Sequence, residues 1–265
     1  MSSGEQTGGY LLDNRQTQAG QRFDAIAAIF DRWTSAHLEQ VGLQPGWRCW
    51  EVGAGGPSVP NWLANRVRPG GHVIATDIDV SWLTGEGLSF EVRRHDVGVD
   101  DPPMRNFHLV HARLVLVHLA QRAAALRSMV SALRPGGWLV IEDADPLLQP
   151  LACPDESGFA QQLANKVRNG FRALLSARGA DLAYGRKLPR LLREAGLHDV
   201  AAEAFFPIAS PEGNRLERAT VEQLRDRLIS DAGITGDELD EHIANLSAGT
   251  IDVTTAPLIT AWGRR

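Results

Sequence analysis

Glu51-Val52-Gly53-Ala54-Gly55-Gly56-Pro57-Ser58 is the stretch on which the fold turns. An apolar run, Trp47 to Val52, stops abruptly at glycines, and a helical pattern follows from Asn61 to Val67. Glycines at a strand-to-helix junction let backbone N–H groups and the chain itself approach a ligand closely. The dinucleotide fingerprint GxGxxG fails here, because its third glycine position is Ser58. Glu51, two residues before the first glycine, places a carboxylate where a pyrophosphate would be repelled. That acid suits a cationic ligand.

Working outward, Pro69-Gly70-Gly71 forms a turn and His72 to Thr76 reads as a second strand, which closes a β-α-β unit of about thirty residues. Asp77 follows that strand, 24 positions beyond Gly53, at the place of the ribose-binding acid in nucleotide folds. The alternation continues with strands over Ser89 to Arg93, Phe107 to Val110 and Trp138 to Ile141, and with a helix over Ala123 to Leu133. Strands separated by helices predict a Rossmann-like α/β fold, a doubly wound and mostly parallel sheet. Strands over His198 to Ile208 and Leu258 to Trp262 bring the count to seven, the last expected to run antiparallel, with helices over Leu188 to Ala195, Val221 to Ile229 and Glu238 to Leu246. One or two amphipathic helices over Gln21 to Leu43 precede the sheet. The expected plan is a single domain, 1–265, with an N-terminal helical lid over 1–45 and a helical cap over 145–184 inserted after the fifth strand.

Composition narrows the partners. The 265 residues carry Lys+Arg 27 against Asp+Glu 32, a net charge of -5, with 43% hydrophobic residues. This is the balance of a globular protein without attraction to polyanions, so neither nucleic acid nor an anionic membrane is expected as partner. A small molecule is, acting on a monomer or homodimer. Cys49 and Cys153 offer no disulfide framework and no metal spacing, and the polar start, Met1 to Gly9, lacks a signal peptide's apolar core. A cytoplasmic location is expected.

The motifs together are similar to those of class I S-adenosylmethionine-dependent methyltransferases. Glu51 to Gly55 resembles their glycine motif, Ala75-Thr76-Asp77-Ile78-Asp79 their ribose motif and His95-Asp96-Val97 their adenine-contacting turn. Phe107 to Arg113 looks like the family's fourth strand, and Leu133-Arg134-Pro135-Gly136-Gly137-Trp138-Leu139-Val140 like its turn before strand five. The ends, Tyr10 to Asn14 with Arg22-Phe23 and Ile259 to Arg265, resemble a bacterial branch related to ubiquinone-biosynthesis and secondary-metabolite enzymes. The resemblance implies a cofactor, S-adenosyl-L-methionine, held by Glu51, Gly53, Ala54, Gly55, Asp77, Ile78, Asp96, Val97 and His111, with Tyr10 as a lid residue. Pro57 departs from the pattern where a further glycine is common, and His108 where the fourth strand often begins with Asp.

The expected activity is methyl transfer to a small, fairly apolar acceptor, with oxygen favoured over nitrogen or carbon. The alternatives are a cofactor-retaining cyclase or rearrangement enzyme and a non-catalytic cofactor-binding protein. His111 reads as lying just past strand four, with His118 two helical turns on and on the same face, so that both imidazoles face one pocket. His118 is the candidate base, against the plainer reading of a packed histidine. Glu142, Asp143 and Asp145 resemble a divalent-metal set, yet His111 stands where a hard oxygen ligand belongs, so no metal is expected.

Overall fold

The computed structural model describes residues 11–12, 17–85 and 87–265. In chain order the elements are α1 (Thr17–Gln40), β1 (Arg48–Val52), α2 (Ser58–Arg66), β2 (His72–Asp77), β3 (Glu91–Arg94) and β4 (Phe107–Arg113). A short 3-10 turn, Leu116–His118, leads to α3 (Arg122–Ala132) and β5 (Leu133–Ala144). Then come α4 (Phe159–Ala177), α5 (Tyr184–Glu194), β6 (His198–Phe205), α6 (Pro211–Ala232), α7 (Gly236–Ala248) and β7 (Leu258–Arg264).

The seven strands form one sheet in the order β3-β2-β1-β4-β5-β7-β6. β1 to β5 are parallel, and β7 lies antiparallel between β5 and β6, as in the pairs Val140↔Trp262 and Glu142↔Thr260. The order reverses direction between β1 and β4, which opens a crevice at the carboxyl ends of those strands where such folds bind ligands.

Alternation along each strand divides the core. Trp50 and Val52 face one side with Ile74, Val110 and Ile141, and pack on α3 and α5 through Leu126, Met129, Leu188 and Leu192. Trp50 is fully buried, and its indole N–H donates to the Thr76 hydroxyl at 2.9 Å. Cys49, Val73, Ala75, Leu109 and Val140 face the other side, against Leu38 of α1 and Leu63 of α2. Glu51, His111 and Glu142 lie on that second face by the same alternation.

Several boundaries differ from the sequence expectation. β4 runs on to Arg113 and β5 to Ala144, because polar residues that ended the apolar runs are paired inside the sheet. α6 begins at Pro211 rather than Val221, with Ser210 as its N-cap and proline in its first turn. The helix in the expected cap segment, α4, packs with α6 and α7 in one cluster that includes Leu163, Val167, Leu224, Leu228 and Leu239. Helices from two separate stretches of chain therefore share that layer. No described helix is long and apolar enough to cross a membrane.

Candidate functional site

The glycine turn is built for close approach. Gly53 and Gly55 hold φ of +62° and +61°, a left-handed conformation that costs other residues energy. A Cβ on Gly53 would lie 2.4 Å from a methyl of Val115, and one on Gly55 would lie 2.7 Å from the ring of Phe23. Phe23 belongs to α1, so the N-terminal helix rests on the turn. Pro57 is the N-cap residue of α2, one position earlier than a place in the first helical turn, and its carbonyl accepts from Asn61 N–H at 2.9 Å.

Hydrogen bonds gather the motifs at one edge. Ala54 N–H donates to the Thr76 carbonyl at 3.0 Å, and Gly55 N–H to Asp77 Oδ2 at 2.9 Å. Asp77 Oδ1 accepts from Asp79 N–H at 3.0 Å, and the Asp77 carbonyl from His95 N–H at 2.9 Å. Burial raises the Asp77 pKa, outweighing the amides that lower it. Ile78, next in the chain, stands 49% exposed at the strand end. Asp96 Oδ1 accepts from Gly98 N–H at 2.8 Å, which shapes its turn, while Val97 is buried in the core beside Trp50.

Beneath the turn lies a buried charged row. Glu51 and His111 are register partners across β1 and β4, and His111 Nδ1 is 2.6 Å from Glu51 Oε2. Its other nitrogen, Nε2, is 3.4 Å from Glu142 Oε2. Burial alone would push the His111 pKa down, but Glu51 and Glu142 hold it up at about 9. Glu142 also accepts from the hydroxyls of Thr34 on α1 and Thr260 on β7. Trp33 N–H donates to Thr260 at 2.7 Å, and Arg113 reaches both Thr34 and Asp31 at 2.9 Å. Thus α1 is bonded to the same row of side chains as the glycine-motif acid.

Two expectations about the histidines are corrected. His111 stands within β4 rather than past it, and His118 sits in the 3-10 turn rather than on a helix shared with His111. The two are not on one helical face. Burial, followed by the charges of Arg22 and Arg122, pushes the His118 pKa down to about 4. Asp143 braces that turn from below: it is fully buried, and its Oδ2 accepts from Val117 N–H at 3.3 Å. Glu142 and Asp143 point to opposite faces of β5, and Asp145 is engaged by Arg186 at 2.6 and 2.7 Å, so these three acids do not converge. Tyr10 lies outside the described residues.

Sequence reading missed the α1 contacts. Gly20 was the available signal: a Cβ there would lie 2.5 Å from the Trp82 ring, so this interior helix glycine admits an aromatic from the loop after β2. Phe23 and Trp82 meet edge to face with centroids 6.4 Å apart.

Comparison with known proteins now bears on this geometry. Residues 50–139 match a family model described as a methyltransferase domain. Phosphoethanolamine N-methyltransferase of Triticum aestivum is 24% identical over 225 residues, 81% of this chain and 40% of the relative. Methyltransferase str2 of Strobilurus tenacellus is 28% identical over 172 residues, 63% of this chain and 59% of the relative. The ubiquinone/menaquinone biosynthesis C-methyltransferase UbiE of Vibrio campbellii is 26% identical over 162 residues, 53% of this chain and 62% of the relative. The chain spans about half the length of these curated relatives. Among solved structures, phosphoethanolamine N-methyltransferase 2 of Haemonchus contortus, in complex with S-adenosylhomocysteine, superposes with a TM-score of 0.59 at 16% identity, over 96% of this chain and 59% of that one. A methyltransferase from an antibiotic biosynthesis pathway of Anabaena variabilis gives 0.59 at 15%, over 88% of this chain and 96% of that one. The matched stretch is a methyltransferase domain, and the seven-stranded sheet is the fold of these solved methyltransferases.

Proposed function

We propose that this chain, with its methyltransferase domain, is a class I enzyme that binds S-adenosylmethionine where β1, β2 and β4 end and transfers its methyl group to a small, fairly apolar acceptor. One observation carries the reading. The glycine turn, with both φ values positive, is bonded directly to the Asp77 carboxylate across the β1/β2 boundary. The residues fit the cofactor: Asp77 for a ribose, Ile78 and the Asp96–Val97 turn for a planar base, and the backbone of Gly53 to Gly55 for the amino-acid portion. Glu51 supplies negative charge for its ammonium group. The described part of the expected lid, α1, closes over the turn through Phe23. When bound, S-adenosylmethionine supplies an electrophilic methyl group on a positively charged sulfur with a neutral thioether as leaving group.

The protein's contribution to such a displacement is alignment and exclusion of water. Phe23, packed edge to face on Trp82, lies against Gly55 of the turn. His118 is neutral at pH 7, but a base whose conjugate acid has a pKa near 4 is weak at that pH. The reaction is therefore one of proximity, with an acceptor that is already nucleophilic or loses its proton to solvent. Oxygen acceptors come first in our expectation, with nitrogen and carbon beside them, because the relatives' printed names include both N- and C-methyltransferases. Incubation with S-adenosylmethionine and panels of phenols, hydroxylated polyketides and amines, read by mass, tests this. Product heavier by one methyl group supports it. Tight cofactor binding with no product from any panel would point to a binding protein.

A further inference from the structure

We propose that His111 is a positioning residue, clamped between Glu51 and Glu142 so as to fix the Glu51 carboxylate for the ammonium group of the cofactor's amino-acid portion. The inference rests on the proposed function above and adds to it a residue that does not itself touch the cofactor. His111 is 0% exposed and spans the gap between two carboxylates on neighbouring strands, 2.6 Å from one and 3.4 Å from the other. With both ring nitrogens engaged inside the sheet, it has no nitrogen to offer a ligand. Glu51 has rotamer freedom of its own. The short contact to His111 restricts that freedom in the segment immediately before Gly53, where the chain turns toward the ligand edge.

The row's charge supports the same role. Two buried carboxylates that flank one imidazole, from the strands on either side of it, favour its protonated form. Glu51 and Glu142 hold the proton on His111, and that proton keeps the ring bonded to the Glu51 carboxylate that would meet the ammonium group. The other groups near this row are Arg113, Thr34 and Asp31, with Thr260 on Glu142, His37 of α1 packed on Trp262, and Cys49, whose thiol burial keeps protonated. Arg113 is held by Asp31 at 2.9 Å, which leaves His111, among the described residues, as the cation in contact with Glu51.

Ligand selectivity separates positioning from simple loss of stability. S-adenosylhomocysteine carries the amino-acid portion, whereas 5′-methylthioadenosine has the same nucleoside without it. Calorimetry of wild type and His111→Gln at pH 7.5 should show S-adenosylhomocysteine weakened by about tenfold or more, the worth of a hydrogen bond to a charged group. Binding of 5′-methylthioadenosine should stay within about twofold. Equal weakening of both ligands, or of neither, overturns the proposal. A wild type that binds neither ligand refutes the cofactor reading and takes the proposal with it.

Should His111→Gln not fold, Glu142→Gln serves. It removes one of the two carboxylates that hold the His111 proton, so the alkaline loss of S-adenosylhomocysteine affinity should move to lower pH than in wild type. The ligand's own ammonium titration is common to both proteins and cancels in that comparison. An unmoved profile overturns the proposal.

Discussion

Gly55→Ala tests whether the glycine turn is dictated by backbone and by α1 together. At φ +61° an alanine sacrifices about 1–2 kcal/mol in the left-handed region. Its Cβ would also lie 2.7 Å from Phe23 Cε1, an overlap of the kind that costs roughly 1–3 kcal/mol. The ring cannot simply swing away, since Trp82 meets it edge-on with centroids 6.4 Å apart and the Arg22 guanidinium lies 5.4 Å over its face. Reduced freedom of the unfolded chain returns about 0.4–1 kcal/mol, which leaves a net loss of about 1–4.5 kcal/mol. Urea denaturation followed by circular dichroism measures it. The two causes separate in a cycle with Phe23→Leu, where only the φ cost should remain and Gly55→Ala should be milder by at least about 1 kcal/mol. A loss below about 0.5 kcal/mol would refute the requirement for positive φ. Equal losses in both backgrounds would refute the contact with α1.

Asp77→Ala leaves the Gly55 and Asp79 amides without their carboxylate and removes the proposed ribose partner. Affinity for S-adenosylmethionine and S-adenosylhomocysteine should fall by roughly 1.5–3 kcal/mol in calorimetry, and unchanged affinity would reject the ribose assignment. Stability should fall on both sides of neutrality for different reasons. His111, held up at about 9 against an ordinary 6.5, stabilises fully below pH 6.5, and that contribution is lost as pH rises through about 9. His118, pushed down to about 4, stabilises above pH 6.5 and loses that contribution as pH falls toward 4. Urea midpoints against pH should lose the alkaline slope in His111→Gln and part of the acid slope in His118→Gln, and slopes that persist would contradict these environments. His118→Ala should lower turnover only modestly, with thermal stability falling alongside. A loss of 10²–10⁴-fold at unchanged stability and cofactor affinity would instead mark it as a general base.

How far the sequence discloses this molecule depends on which residues are local in their effects. Strand β1, its glycines and Asp77 were legible because an apolar run, a turn and an acid after the next strand act within one short unit. By its apolar run alone β4 was read three residues short, although the family resemblance spans Phe107 to Arg113, since His111 and Arg113 look like strand-ending polar residues until Glu51, Glu142 and Asp31 are brought beside them from other strands and from α1. His118 was placed on a helix by spacing alone, whereas the chain there makes a 3-10 turn braced by the buried Asp143. The union of α4 with α6 and α7 was beyond periodicity, which shows that a helix has an apolar face without showing what covers it. Ser210-Pro211 did carry a helix-start signal, and reading it would have recovered the true beginning of α6.

The central claim is that the edge formed by Gly53, Gly55 and Asp77 is an S-adenosylmethionine site. Isothermal titration of the purified chain with S-adenosylmethionine, with S-adenosylhomocysteine and with NADH tests it most directly. The account predicts that the first two bind one to one and compete with each other, and that NADH neither binds nor displaces them. Absence of binding by both sulfur nucleosides, or their displacement by NADH, would contradict it.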